Sequence, residues 1–567
     1  MFFSPISERT FKVRSLYLSI YLVLIAGGLT MIIPFIVMLS GSVEPTTYFK
    51  DSTFFPKYFV SDKAYYKRYI ESKYGGTVDN YRMATSDSDN SFRTLELPKK
   101  DPSQLVLWQE FLKERGGDKF STELIAVGFI RSNTRLSAYN TREFRHWLVG
   151  EYGGDMARLN SALNTQFSKP TAIRPTIITL FGSGLRETPL MKKFAQFVQE
   201  KVPDTQKYYQ DAGGYYRAVF LPRVVGPVEN FNATYGTSFY SYSELPFSAT
   251  LPDLAPEQWT AFVKTLLRPN FIELTESGNR RMKEEGMGKE NFIRLSARPE
   301  ELRVNTVDRI FAEWAEAKHG VKDARIPQQQ MDAEAAMAEK SFWKFQFATL
   351  NYLTVFDEVF LYGRAVLNTF ILVLLCVGGA LLINPLAAYA LSRFKLPQTY
   401  SLLVFFLATI AFPAEVTMIP VFLQLRDFNL LNTFGALVLP GLVNGFSIFL
   451  LKGFFDSLPR ELYEAAELDG ASEFRMFWQI TMNLSKPILA VIALAAFVSA
   501  YSTFFFALIL APDPKMWTIM VYIFQLRAEA ASPIVYASLI VTAIPTLLVF
   551  IFCQNIILRG IVVPSDK

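Results

Sequence analysis

Long apolar runs crowd the two ends of this chain and are absent from its middle. Leu16 to Leu39 is apolar for roughly 24 residues, above the requirement of about 20 for crossing a bilayer as a helix. Five more runs follow late in the chain: Ala365–Leu391, Ser401–Leu423, Phe434–Leu451, Pro487–Leu510 and Pro533–Leu558. Nothing between residues 45 and 360 is long and apolar enough to cross. The pattern predicts a multi-span α-helical membrane protein with six transmembrane helices. A large, mainly helical α+β extracytoplasmic domain is inserted between spans 1 and 2. The expected boundaries are 1-45 for the N-terminus and first span, 46-350 for the insert, and 351-567 for the remaining five spans.

Charge fixes the direction of threading. Arg9, Lys12 and Arg14 precede the first run, and basic residues near span ends favour the cytoplasmic side. Small residues follow at Ser40-Gly41-Ser42, as at a leader cleavage site. The run is nevertheless longer than the 7–15 apolar residues typical of a leader, so a retained anchor is expected. Counting spans from there puts Arg393, Lys395, residues 456-486 and Arg559 inside, with Arg426-Asp427, Asp513 to Lys515 and residues 46-360 outside. Both termini are expected in the cytoplasm of a bacterial-type inner membrane. A formal net charge of +5 is no nucleic-acid signature.

Within the insert, periodicity predicts helices at 103–115, 141–150, 188–201, 256–267 and 298–318, and short strands at 125–131 and 174–181. The chain has two cysteines, Cys376 and Cys553, both in apolar runs, so an exported domain without disulfides must rest on a real core. With His146 and His319 the only histidines, no metal site is expected. A faint repeat relates Leu159–Phe167 to Phe231–Phe239, each copy expected to follow an aromatic-rich helix, Phe144 to Val149 and Phe194 to Val198.

One polar stretch interrupts the late apolar runs. From Pro459 to Pro487 the chain reads as two short amphipathic helices with a hinge. Pro459 suits a first helical turn capped by Ser457 or Asp456. Glu461, Glu464 and Glu467 face water, leaving Leu462, Ala465, Ala466 and Leu468 for a partner. Asp469-Gly470 supplies a left-handed stop. Ser472 caps the second helix, which carries Phe474, Phe477 and Ile480.

This stretch resembles the cytoplasmic EAA loop of ATP-binding-cassette import permeases. Its pattern appears as Glu464-Ala465-Ala466, Gly470 and Ile480, with Met482-Asn483 in place of a final Leu-Pro. Leu386 to Phe394, Pro413 to Pro420 and Ser485-Lys486-Pro487 are similar to the smaller permease of maltose-type carbohydrate importers. The resemblance covers roughly the first 55 residues and the chain after about 345, and none of the insert. It implies that Glu464, Ala465, Ala466, Asp469 and Gly470 form the element that couples to an ATPase. It also implies three partners besides membrane lipid: a second permease subunit, an ATPase dimer and an extracytoplasmic solute-binding protein. No G-x-x-x-x-G-K-[ST] phosphate loop occurs, so no cofactor is expected in this chain and ATP-Mg belongs on the ATPase subunit.

Candidate pathway residues follow from polarity inside apolar runs. Glu415 is the one carboxylate well inside such a run, where charge is costly. A structural or gating role, a substrate contact and proton coupling all stay open for it. Asn384, Asn444, Ser447, Tyr501, Ser502 and Thr503 fit a sugar path, and equally fit helix–helix packing. In sugar importers the 501–503 position commonly reads Trp-Asn-Asp.

No catalytic residue is assigned. Glu143, Glu151, Asp155, Glu187, Glu229 and Glu244 read as solvated carboxylates, although a glycosidase pair would be drawn from the same set. Leu159–Phe167, with Trp147-Leu148 and Tyr152-Gly153 ahead of it, also looks like a segment of β-galactosidase-type glycoside hydrolases. The expected function is an importer permease for a carbohydrate or polyol. The alternative is a membrane-tethered carbohydrate-active enzyme or carbohydrate-binding protein, which leaves five spans and a cytoplasmic hinge unexplained. A proton-coupled carrier would need more intramembrane charge than Glu415 provides.

Overall fold

The structure, a computed structural model, describes residues 11–45, 54–85, 87, 91–99, 102–126, 139–174, 180–181, 187–361, 363–394, 396–411, 413–530 and 532–559. The chain divides into two compact units, Met1–Thr354 with Ala531–Pro533, and Val355–Ala530 with Ile534–Lys567.

The first unit opens on a 33-residue helix, Phe11–Val43, and continues as short helices around three aromatic cores. One core gathers Tyr65, Tyr69, Tyr74, Phe144, Phe194, Phe197 and Trp343. A second surrounds Trp259 and Phe262, and a third holds Trp108, Phe111 and Trp314. Full burial of each such ring contributes on the order of 2–3 kcal/mol, enough in aggregate to replace disulfide staples. Buried polar clamps add register. Asp332 accepts from Lys73 Nζ, Tyr74 Oη and Gln328 Nε2, each at 2.7 Å, fixing the 62–73 helix to the 328–338 helix.

Helices are found at Pro102–Arg115, Tyr139–Glu151, Pro189–Lys201 and Pro256–Thr265, as the periodicity predicts. The 298–318 segment differs. Pro299 opens a single 3-10 turn, Leu302–Val304 pairs antiparallel with Ile272–Leu274, and only Val307–His319 is helical. Alternation at Leu302 and Val304, both buried, was submerged in the helical pattern that follows. The expected 125–131 strand reduces to Leu124–Ile125, paired with Tyr208–Tyr209. Ala126 is already out of the strand, and residues 127–131 and most of 174–181 lie outside the described residues; Phe181 bridges Leu267.

The repeat is a real structural unit. Asn160 donates to Phe167 O and accepts from Phe167 N, both at 2.9 Å, and Asn232 does the same with Phe239 at 2.8 and 3.1 Å. Thr165 and Thr237 hydroxyls donate to the two asparagines, and Asn164 and Gly236 both take left-handed backbone. Arg145 and Arg217 donate to the carbonyls of Ile173 and Leu245 at equivalent positions. The helix preceding the second copy is Ala212–Val224, carrying a π turn, and not Phe194–Val198. Gly213-Gly214 and Pro222 disguise it in the sequence.

Four of the carboxylates weighed for a glycosidase pair have local partners. Asp155 caps the Met156–Leu163 helix, Glu151 pairs with Lys193, Glu187 with Arg268, and Glu244 accepts from Tyr240 N. The strongly perturbed acids lie elsewhere. Burial pushes Glu123 up to about 8, against the Val307 amide it accepts at 2.9 Å. Burial and the neighbouring Asp308 also raise Asp211. Both acids bind protons more tightly folded than unfolded, so their stabilisation is complete below the ordinary carboxylate range and is lost as pH rises through about 6 for Asp211 and about 8 for Glu123. The melting temperature of this unit, followed in the full-length protein, is expected to fall from pH 5 to pH 9. Glu123→Gln is expected to flatten that slope.

The second unit is almost entirely helical. Ala365–Arg393 and Ser532–Gln554 are long and apolar enough to cross a membrane, as is Ser15–Val43 of the first unit. Two bent pairs qualify together: Phe434–Gly441 with Gly445–Asp456, bent by 50°, and Glu473–Leu484 with Lys486–Tyr501, bent by 83°. That makes up to five spans among the described residues. The expected span Ser401–Leu423 is divided into Thr399–Ile410 and Ala414–Asp427. Pro413, extended at φ −58° and ψ 137°, stands at the start of the second piece.

Candidate coupling loop and pathway

The loop begins one turn later than the sequence suggests. Its first helix is Glu461–Leu468, with Arg460 at the N-terminal boundary and no side-chain cap. Ser457 bonds back to Phe454 O, and Asp456 is taken by Ser392 and Lys452. The stop is as expected. Gly470 has φ +77°, Gly470 N donates to Glu467 O, and Ala471 N donates to Ala466 O, which closes the helix with a left-handed residue. Ser472 then accepts from Arg475 N, starting a second helical segment that runs through a π turn at Met476–Thr481.

What holds the loop was not anticipated as such. Tyr463 is buried, its hydroxyl 2.8 Å from Thr481 Oγ1, so the two short helices are joined through their inner faces. The Arg393 guanidinium lies 4.0 Å from the Tyr463 ring centroid and donates to Glu467 at 3.2 Å. Four residues earlier on the same helix, Tyr389 donates to Glu473 at 2.6 Å and meets Phe477 edge-on. Met476 and Phe477 complete a core with Leu451, Phe455 and Ile488. Tyr389 and Arg393 stand inside the family-like stretch Leu386 to Phe394, which was the available signal. Their role emerges only when the helix end meets the loop.

The outward face is equally distinct. Glu461, Glu464, Ala465, Glu467, Asp469 and Gly470 are exposed and Ala466 is half-buried. Leu468 is 90% exposed, Phe474 71% and Trp478 52%. The last two rings lie nearly parallel, 6.5 Å apart. A charged rim around large apolar groups is the anatomy of a protein docking surface. At Gly470 an added Cβ meets nothing within 4 Å, so a side chain costs only the left-handed backbone, about 1–2 kcal/mol. Gly470→Val is therefore expected to fold and insert, yet to lower uptake severalfold relative to ATP hydrolysis. Unchanged uptake per ATP would count against a docking role for the hinge.

The pathway candidates form two groups. Asn384 is buried and donates to Ala380 O and Leu442 O, while its Oδ1 accepts from Asn444 N at 2.9 Å. Asn444 in turn caps Gly445–Asp456 through the amide of Ser447, which is itself buried. These three residues are thus brought together at the break in the bent helix. Tyr501 donates to Thr542 O at 2.6 Å, whereas Ser502 and Thr503 hydroxyls return to carbonyls of their own helix as it ends. Glu415 lies in the first turn of Ala414–Asp427, with its side chain outside the described residues. The described residues hold no group of three or more His, Cys, Asp or Glu arranged for a metal ion.

The family model for the binding-protein-dependent transport system inner membrane component matches residues 383–562. The chain is 32% identical to the diacetylchitobiose uptake system permease protein of Streptomyces coelicolor, over 38% of this chain and 71% of that protein. The chain belongs to this permease family. Other relatives of the permease include the sn-glycerol-3-phosphate transport system permease protein of Yersinia pestis, 30% identical over 36% of this chain and 74% of that one. Protein LplC of Bacillus subtilis is 32% identical over 41% and 84%. Among solved structures, a chain of a bacterial ABC transporter involved in the import of alginate aligns at 26% identity with a TM-score of 0.33. That alignment covers 36% of the permease and 78% of that chain.

Proposed function

We propose that the permease forms half of the translocation pathway of an ATP-driven importer for a carbohydrate or polyol. It has six spans, counting the helix pair divided at Pro413 as one, and residues 46-360 are extracytoplasmic. A second permease subunit supplies the other half, and a solute-binding protein delivers the substrate. An ATPase dimer carrying ATP-Mg docks on residues 456-486. The observation that carries this reading is the loop itself. It presents Leu468, Phe474 and Trp478 outward while Tyr463, Met476 and Phe477 anchor it to the ends of the apolar helices. Glu464, Ala465, Ala466, Asp469 and Gly470 form the contact surface of its first arm. Asn384, Asn444 and Ser447 set the bend beside the path, and Glu415, Tyr501, Ser502 and Thr503 lie along it.

Purification in mild detergent tests this reading. An ATPase is expected to co-purify, with turnover that rises when binding protein and its sugar are added. A permease that purifies without an ATPase, or with one indifferent to the binding protein, would overturn it.

A further inference from the structure

The insert carries an apolar surface that its own cores leave uncovered. Helix Lys340–Phe356 buries Trp343, Phe347 and Leu350 inward, yet also turns Phe342 and Phe345 outward. Segment 54–60 packs beside it: Lys344 Nζ donates to Phe59 O at 2.7 Å, and Tyr58 meets Phe347 edge-on at 6.0 Å. It adds exposed Phe54, Phe55 and Val60 to the same surface, with Lys57 exposed among them.

The first apolar helix fixes where this surface lies. From Leu18 to Phe35 its large side chains are exposed, and at Ser40, Ser42 and Glu44 the chain becomes buried. That switch follows the end of the apolar run at Leu39, where a span leaves the hydrocarbon. The buried end is tied to both halves of the apolar surface. Ser42 bonds Tyr352 Oη at 2.6 Å, Asn351 donates to Ser42 O at 2.7 Å, and Glu44 accepts from Lys57 N at 3.2 Å. Phe55 is two residues from Lys57, and Phe345 is under two helical turns from Asn351. Groups so placed sit at the membrane surface.

We infer that Phe54, Phe55, Val60, Phe342 and Phe345 form an interfacial seat by which the insert rests on the outer leaflet of the phospholipid bilayer. Aromatic side chains flanked by lysines suit the boundary between headgroups and acyl chains, where rings are buried and ammonium groups reach the phosphates. The seat holds the insert at a fixed height over the membrane. Lipid fits better than a protein partner because the surface adjoins the end of a helix long and apolar enough to cross a membrane.

The inference rests on the first helix crossing the bilayer, and the test separates the two. Cys376 and Cys553 are replaced by serine. Phe55→Cys, Phe345→Cys, Met31→Cys and Tyr240→Cys, each alone, are spin-labelled in the assembled transporter in phosphatidylglycerol–phosphatidylethanolamine nanodiscs. Collision with oxygen reports lipid, and collision with a water-soluble nickel chelate reports solvent. Positions 31, 55 and 345 are expected to show an oxygen-to-nickel ratio several-fold above that at exposed Tyr240. Nickel access at 55 and 345 with lipid at 31 would overturn the seat alone. Shielding of 55 and 345 from both reagents would assign the surface to a protein partner and also overturn it. Nickel access at 31 would remove the span and the seat together.

Discussion

Leu468→Ala is expected to weaken association of the ATPase with the permease about 30-fold, while leaving the permease folded. The side chain is 90% exposed and touches no core, so its removal costs the isolated chain almost nothing. Burying a leucine at an interface contributes about 2 kcal/mol, and each 1.4 kcal/mol is tenfold in affinity. Leu468→Asp is expected to do worse, since it asks the partner to bury a carboxylate. Trp478→Ala should fall in the same range, through loss of the ring stacked on Phe474. Titration of the ATPase onto detergent-solubilised permease measures each change. Leu295→Ala, exposed on the insert, supplies the control. Equal affinity of all four variants would show that the outward face of the loop docks nothing.

Gly445→Ala is expected to destroy folding of the membrane unit. The new Cβ would strike the carbonyl oxygen of Phe406 and lie 2.8 Å from the carbonyl carbon, so backbone must yield rather than a flexible side chain. Overpacking typically costs 1–3 kcal/mol. The figure belongs at or above the top of that range here, because the Thr399–Ile410 helix approaches Gly445–Asp456 backbone to backbone, the close approach that small residues permit in membranes. Gly453→Ala on the same helix is the matched comparison. Its Cβ meets nothing within 4 Å, and alanine gains about 1 kcal/mol of helix propensity. Size-exclusion profiles and thermal melts should show aggregation for the first and none for the second.

Much of this molecule is legible in its sequence. Apolar run length found the long helices, and the Asp469-Gly470 step gave the hinge with its left-handed backbone. Two kinds of information were out of reach. Where a proline divides a run, as at Pro413, hydropathy stays continuous while the backbone does not. Contacts remote in sequence also leave no local trace: Tyr463 reads as one aromatic among several, and only its meeting with Thr481 and Arg393 makes it the anchor. Asn384 shows the same limit from the other side. Its polarity in an apolar run fits a pathway and helix packing alike, and only the fold shows its amide bridging a helix break.

Tyr389 and Arg393 lie on one stripe of one helix, and each grips a different arm of the loop through a carboxylate, Glu473 and Glu467. Pressure on either arm is therefore delivered to the same final turn of Ala365–Arg393, acting at two points instead of one. Two attachment points resist swivelling, so a partner docked on the loop as proposed would transmit torque as well as thrust. Cutting one of them would leave a ball joint: still attached, still able to be pushed, but free to spin without turning the shaft.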